Sequence, residues 1–431
     1  MSRHRAPAQP SRRGRLRMAG AVSGQLSQAL ASFVLQALAA RILGASGLGV
    51  FALLYGGIVL GTAVVSGFVG DSLTVLDRAN APIRAALQNW CALLSVAGGG
   101  IAAVASVATG LVHGWTAVFF GLATTAFIVE DSLRRLLMAS MRFWALPVLD
   151  TVALVASLVV LAVEAARPGP LGLSDFMLAL LVGQLAGGVA AAAQLPSVER
   201  RLAALRPAAM AEVARFGRWR GAQQAVRPSM LTGARIVVTV VVSTAAYGQL
   251  EAARIYVAPA LLVVNGVAAF LLPMYVASRE RPVRWALRKA DRAAAGLLVT
   301  ALVLGAAATA LTPLLGPIVT GHSFHINALA VFGWTVYAAS TATVTPYGGL
   351  AAVRGRQARV LGLRLLDSAL SLAAALAVLF WLHLSASWVP LALAAGSFLG
   401  GGLVRQLVLA PLAREQKVVQ RAARHVQAVR T

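Results

Sequence analysis

The chain has 431 residues, of which 59% are hydrophobic and only 12% charged, with a net charge of +24. Soluble domains carry roughly a quarter of their residues as charged side chains, so this composition excludes a soluble fold and describes a protein that crosses the membrane many times. The basic residues sit in short clusters between apolar stretches, where they encode orientation, and no nucleic-acid partner is expected from them.

The basic leader, residues 1–18, precedes an apolar run of about 22 residues, longer than the roughly 7–15 of a secretory signal. It reads as a cytoplasmic leader and a first membrane helix. Apolar runs of about 20 residues then recur at 19–40, 46–70, 86–111, 114–133, 145–165, 172–194, 221–246, 252–277, 293–316, 325–348, 364–383 and 387–411. Each must be a helix, because the bilayer offers the backbone no hydrogen-bond partner. If alternate connections face the cytoplasm, starting with the N-terminus, they and the adjoining helix ends hold 34 of the 38 lysines and arginines. Arg41, Arg167 and Arg254 fall on the other side, and Arg235 lies inside a helix. This asymmetry predicts an all-α polytopic membrane protein with twelve transmembrane helices and both termini cytoplasmic.

The expected organisation is the leader, an N-terminal six-helix lobe (19–194), a basic amphipathic cytoplasmic linker (195–220), a C-terminal six-helix lobe (221–411) and a basic tail (412–431). Two features recur between the halves. Ala45–Ala52 resembles Ala246–Ala253, and Arg142 with Asp150 matches Arg359 with Asp367 in spacing.

Little in the chain suggests an enzyme. There is no phosphate-binding loop, no serine-hydrolase elbow and no zinc-protease motif. The one cysteine, Cys91, makes no internal disulfide, and the six histidines have no ligand spacing. No metal and no cofactor are implied.

Ionisable groups inside the membrane are costly and point to function. The stretch from Glu199 to Arg235 holds eight arginines. Within it Arg220, Gln224, Arg227, Leu231 and Arg235 follow spacings of 4, 3, 4 and 4. They share one helical face over about 22 Å. Two readings stay open: a cationic stripe facing a substrate cavity, or topology signals that snorkel to the headgroups. Gln25, Gln28, Ser32 and Gln36 form a second polar face on the first helix. Arg41 ends that helix, and helix 8 adds Arg254, Tyr256 and Asn265. A guanidinium fork suits phosphate, so a cavity lined this way takes an anion. Among the acids, Glu130 with Arg134 and Asp131 with Arg135 read as i,i+4 pairs. Asp71, Asp150 and Asp367 are candidates for a coupling ion.

The turn Arg41–Ala52, its counterpart Ala246–Ala253 followed by Pro273, and the connection Leu350–Arg356 resemble those of bacterial polysaccharide flippases of the O-antigen type. These lie in the broader multidrug/oligosaccharidyl-lipid/polysaccharide exporter superfamily. The resemblance implies two six-helix lobes, with helices 1, 2, 7 and 8 lining a central cavity that opens alternately to each side. It implies a lipid-linked oligosaccharide on an undecaprenyl pyrophosphate carrier as substrate. Arg220, Arg227 and Arg235 would meet the pyrophosphate or acidic sugar, and the helix 1 glutamines the sugar hydroxyls. Relatives often have an acid near Arg235, so this chain departs from the pattern there.

The sequence therefore reads as a flippase of the bacterial plasma membrane acting in cell-surface polysaccharide synthesis. It would work with lipids around it and polysaccharide-synthesis enzymes as candidate partners. The alternatives are a multidrug/cation antiporter of the multidrug and toxin extrusion type and an integral-membrane glycosyltransferase or polymerase. A reporter fused after Arg284 is expected to read cytoplasmic; an external reading would overturn the assigned topology.

Overall fold

The structure is a computed structural model that describes residues 12–200, 209–277, 281–354 and 356–416. It is all-helical, with no strand among the described residues. The elements are α1 (Arg12–Val65), a π-helical turn (Ser66–Gly70), α2 (Asp71–Val75), α3 (Ala81–Ala108), α4 (Gly114–Ala139), α5 (Ala145–Ala165) and α6 (Leu173–Gln194). There follow α7 (Met210–Val241), α8 (Thr244–Ala277), α9 (Val283–Thr320), α10 (Ala328–Val353), α11 (Gln357–Phe380) and α12 (Val389–Leu403), which runs on through a π-helical stretch, Val404–Leu409. Among the described residues nine helices are long and apolar enough to cross a membrane, and the first of them, Val22–Leu73, is 52 residues long. That length holds two spans at about 20 residues each.

Several helix boundaries differ from those expected, and three of the differences are informative. The first two spans are not separated by a five-residue connection. They are two helices that meet at a kink, where Gly44 alone is non-helical, with φ 66° and ψ −174°. That conformation is essentially restricted to glycine, so a single residue makes the turn. Helix 7 begins at Met210 rather than 221, so the basic amphipathic segment and the membrane helix are continuous. The stretch 201–208 of the expected linker lies outside the described residues. Helix 9 likewise starts at Val283, ten residues early, because the run Arg284–Arg292 is itself helical. Charged residues mark the end of an apolar span but do not end a helix, since arginine and lysine have good helix propensity.

The chain divides into two compact units, one of Met1–Leu35 and Gly57–Gln224, the other of Gln36–Gly56 and Ala225–Thr431. In the first unit α6 packs along both α4 and α5, and α3 packs on α4. In the second, α10 is central and packs against α8, α9 and α12, with α11 against α12.

The same packing devices occur in both. Ser157 on α5 donates to the carbonyl of Ala179 on α6 at 2.9 Å, and Ser371 on α11 donates to that of Leu393 on α12 at 3.1 Å. Both pairs are 22 residues apart, and in each the serine hydroxyl lies against a glycine of the facing helix, Gly183 or Gly396. Likewise Gly99 on α3 faces Thr125 on α4, and Gly305 on α9 faces Thr335 on α10. Small residues let membrane helices approach closely, and a hydroxyl adds a hydrogen bond across the contact. The recurrence supports an internal repeat, but it sets Asp367, which faces Gly400, opposite Ala153, which faces Gly187, rather than opposite Asp150.

The two similar turns pack on each other within the second unit. Ser46 Oγ and Thr244 Oγ1 are 2.9 Å apart. A Cβ on Gly49 would run into the carbonyl of Thr244, and one on Gly248 into the carbonyl of Ala45. The contact is reciprocal, as in a two-fold interface where one patch meets its own copy. Replacing Gly248 with alanine is expected to lower the unfolding temperature of the purified protein by several degrees, from about 1–3 kcal/mol of overpacking. Gly188→Ala, where a Cβ meets open space, serves as the control and is expected to change it little.

Candidate functional site

The arginines of α7 have unequal surroundings. Arg220 belongs to the first unit, where glycines bring α7 close to its neighbours. A Cβ on Gly217 would clash with Phe68, and one on Gly67 with the backbone at Arg220. Val213 is buried in a cluster with Val65, Val69 and Ile83, and Trp90 Nε1 donates to the carbonyl of Met210 at 3.0 Å. This contact delivers Arg220 to Asp71, whose Oδ2 accepts from Nε at 2.8 Å and Nη2 at 2.6 Å. Arg135 approaches the other Asp71 oxygen at 3.9 Å and bonds Asp131 at 3.0 Å, and Ser66 Oγ donates to Asp131 at 2.5 Å. Two residues assigned separate roles by sequence, Arg220 for substrate and Asp71 for a coupling ion, are thus each other's partners.

Asp150 is also engaged. Arg134 Nη1 donates to its Oδ1 at 2.6 Å, Ser27 Oγ donates to its Oδ2, and Arg134 Nη2 donates to the carbonyl of Gly24 at 2.7 Å. Arg134 and Asp150 are 3% and 7% exposed. The expected i,i+4 pair of Arg134 with Glu130 does not form, because the guanidinium turns away from its own helix toward α1 and α5. Glu130 is buried, and its Oε1 has no hydrogen-bond partner. Asp131 with Arg135 does pair as the spacing predicts.

In the second unit Arg227 is exposed. Its Nη2 donates to the Tyr337 hydroxyl at 3.2 Å, and the guanidinium lies 5.6 Å from the centre of that ring. Arg235 donates to the carbonyl of Ala52 at 3.3 Å, and a Cβ on Gly56 would collide with its guanidinium. Neither forms an ion pair among the described residues. Gln224, at the end of the first unit's share of α7, is exposed.

The glutamines of α1 also differ. Gln25 and Gln28 are exposed. Gln36 is buried and accepts from Arg254 Nη2 at 2.8 Å. Arg254 pairs with Glu251, which also accepts from the Tyr247 hydroxyl at 2.8 Å. Glu251 is 1% exposed and was not foreseen as a site residue. Its spacing, four from Tyr247 and three from Arg254, carries the signal. Arg41 is exposed beside Gly321. Asn265 lies in α8, but its side chain is outside the described residues. Asp367 accepts from Ser368 Oγ at 3.1 Å and its carboxylate packs against Gly400. Of the three candidate acids, Asp71 and Asp150 thus pair with different arginines in the first unit, and Asp367 lies in the second. Among the described residues no group of three metal-ligating side chains occurs.

No family model and no curated protein matches the chain. Solved structures do match its fold. An inward-facing multidrug resistance MATE family transporter of the MOP superfamily superposes with a TM-score of 0.69 at 13% identity, covering 90% of this chain and 96% of that one. The fold is that of the MATE transporters. An outward-facing transporter of the same kind gives a TM-score of 0.60 at 14% identity over 93% and 96%. A MOP superfamily transporter from Pyrococcus furiosus, described as having a binding pocket of reverse polarity that suggests a different function, gives 0.60 at 13% over 92% and 95%. The MATE-like neighbours are transporters rather than enzymes.

Removing one partner of a buried pair strands the other charge, at about 3–5 kcal/mol, whereas partly exposed pairs contribute about 1 kcal/mol or less. Arg134→Ala is therefore expected to lower the thermal unfolding temperature far more than Arg220→Ala. The reverse order would show that the Arg134–Asp150 pair does not stabilise the first unit.

Proposed function

We propose that the chain is a secondary transporter that moves an anionic substrate across the membrane by alternating access. The MATE structures support the transporter class. They fit an extrusion-type transporter of the multidrug and toxin extrusion kind better than the polysaccharide flippase read from the sequence. The polarity of α7 supports the substrate's charge. Among the described residues Arg227 and Arg235 hydrogen-bond a phenol and a carbonyl rather than a carboxylate, and each guanidinium keeps donors for an incoming anion. A cation exporter needs the opposite: a carboxylate free of arginine where its substrate binds. A neighbour on this fold is itself described as having a binding pocket of reverse polarity.

In this reading Arg227 and Arg235 contact the substrate, and Arg220, bound to Asp71, positions the first part of α7. Of the three candidate coupling acids, Asp71 and Asp150 each already have an arginine. Asp367 makes no ion pair among the described residues and hydrogen-bonds Ser368, with Arg364 and Arg227 in its electrostatic surroundings, and we assign to it the coupling proton or cation. The protein would sit in the bacterial plasma membrane with both termini cytoplasmic.

One observation favours a finer second reading. The exposed amides of Gln25 and Gln28 suit sugar hydroxyls, which would make the substrate a lipid-linked oligosaccharide with a pyrophosphate carrier and the partners polysaccharide-synthesis enzymes. Transport by protein in liposomes separates the readings. A fluorescently labelled prenyl-pyrophosphate oligosaccharide, a water-soluble anionic dye and ethidium would be offered in turn. An anion transporter moves one or both anions, and Arg227→Ala and Arg235→Ala each reduce that rate about tenfold, as expected for a lost charge-assisted hydrogen bond. Ethidium transport that survives both substitutions, with no anion transport, would establish the cation antiporter instead.

A further inference from the structure

A second basic site lies away from α7. At one end of the second unit a cavity of about 590 Å³ is lined by Arg284, Arg288 and Asp291 of α9 and by Arg405 and Arg414 of the chain's last described helical stretch, with Leu287 among its apolar walls. Its volume is within the range of small-molecule sites. Asp291 is already committed. It accepts from Arg405 Nε at 2.8 Å and Nη2 at 3.1 Å, and from the Tyr347 hydroxyl at 3.0 Å. Among the described residues no carboxylate pairs with Arg284, Arg288 or Arg414, and Glu415, next to Arg414, is exposed. Three positive charges therefore share one cavity uncompensated.

That arrangement is unfavourable twice over. The guanidinium groups repel each other, and Arg284 occupies the first turn of α9, where the helix dipole favours negative charge. A bound anion relieves both. The surroundings fix its depth. Trp285 is flanked by Lys289 at 4.4 Å and Arg281 at 5.7 Å from its ring centre, and tryptophan beside basic residues is characteristic of the headgroup level. The apolar part of α9 follows directly.

We infer that this cavity binds the phosphate of an anionic phospholipid from the leaflet at that end, with Arg284, Arg288 and Arg414 as its ligands. Basic pockets between membrane helices hold lipid headgroups in this way. The apolar wall at Leu287 accommodates the start of the lipid's glycerol and chains, which a free phosphate lacks. This site does not depend on what the protein transports.

The test uses the full chain in detergent, with unfolding temperature and native mass spectrometry as readouts. Phosphatidylglycerol is expected to raise the unfolding temperature and to remain bound, whereas phosphatidylcholine is not. Arg284→Gln with Arg288→Gln is expected to weaken phosphatidylglycerol binding by on the order of tenfold, since each basic residue near an anionic lipid surface contributes about 1 kcal/mol. Arg414→Gln, on the opposite wall, is expected to weaken it severalfold and provides an answer if the double variant is unstable. Arg215→Gln with Arg218→Gln removes the same charge from exposed positions on α7 and is expected to leave binding unchanged. Equal binding of the two lipids, or equal loss in the α7 control, overturns the proposal. So does full stabilisation by inorganic phosphate or glycerol phosphate, which would mark a free-phosphate site.

Discussion

An arginine inside a membrane protein has to find acceptors, because a guanidinium left in hydrocarbon costs at least about 2.5–3.5 kcal/mol. That constraint organises both units. Arg134 finds Asp150, Arg220 finds Asp71, Arg254 finds Glu251 and Arg405 finds Asp291. Three of these four pairs join different helices, so each ties particular elements together: α4 to the next helix α5, α7 to the start of α2, and α9 to the π-helical stretch after α12. The Arg134 guanidinium adds α1 through the carbonyl of Gly24. Apolar packing alone is a weak guide to such pairings in lipid, because lipid tails compete equally well for an apolar helix face.

Close backbone contact supplies the other half of the specificity. The serine–carbonyl and glycine–threonine contacts occur once in each unit, and the turns at Gly49 and Gly248 meet reciprocally. Internal repeats of this kind are common in secondary transporters. Here the repeat is better preserved in packing than in residue identity: one small residue and one hydroxyl at the right separation suffice, and many sequences meet that requirement.

The helical, multi-spanning fold was legible from the alternation of apolar runs and basic clusters. Helix ends were not, because apolarity measures the bilayer's thickness while hydrogen bonding sets the helix. Hence α7 and α9 continue through their arginines, and one glycine joins the first two spans. The turns at Ala45–Ala52 and Ala246–Ala253 were legible as a pair, though not as contacting one another. Charge pairing was legible only where it is local. Asp131 with Arg135 followed its spacing, while Arg134 ignored Glu130 one turn away. In a buried setting the geometry of a long-range partner outweighs an i,i+4 neighbour, which contributes only about 0.2–0.5 kcal/mol even when formed. Glu251 was missed because its turn was read for its small residues rather than for its one acid.

The contrast among the arginines of α7 bears on mechanism. A transport site must bind its substrate and release it in the same cycle. An arginine already in a close ion pair would have to break that pair first, at a cost comparable to what a new anion returns. Arg220 is in that position, and its pair suits fastening α7 rather than binding substrate. Arg227 and Arg235 are held by a ring and a carbonyl, contacts strong enough to orient a guanidinium and weak enough to exchange. Neutral hydrogen bonds of this sort contribute about 0.5–1.5 kcal/mol, and those to charged partners about 1.5–3 kcal/mol. A phosphate or carboxylate can therefore displace the resident partners at a modest net gain, which permits both occupancy and release. The same helix thus carries an anchored arginine at its start and exchangeable ones beyond it. The difference is one of direct contact: Arg220 meets a carboxylate at ion-pair distance, whereas the acids nearest Arg227 and Arg235 act on them without such a contact.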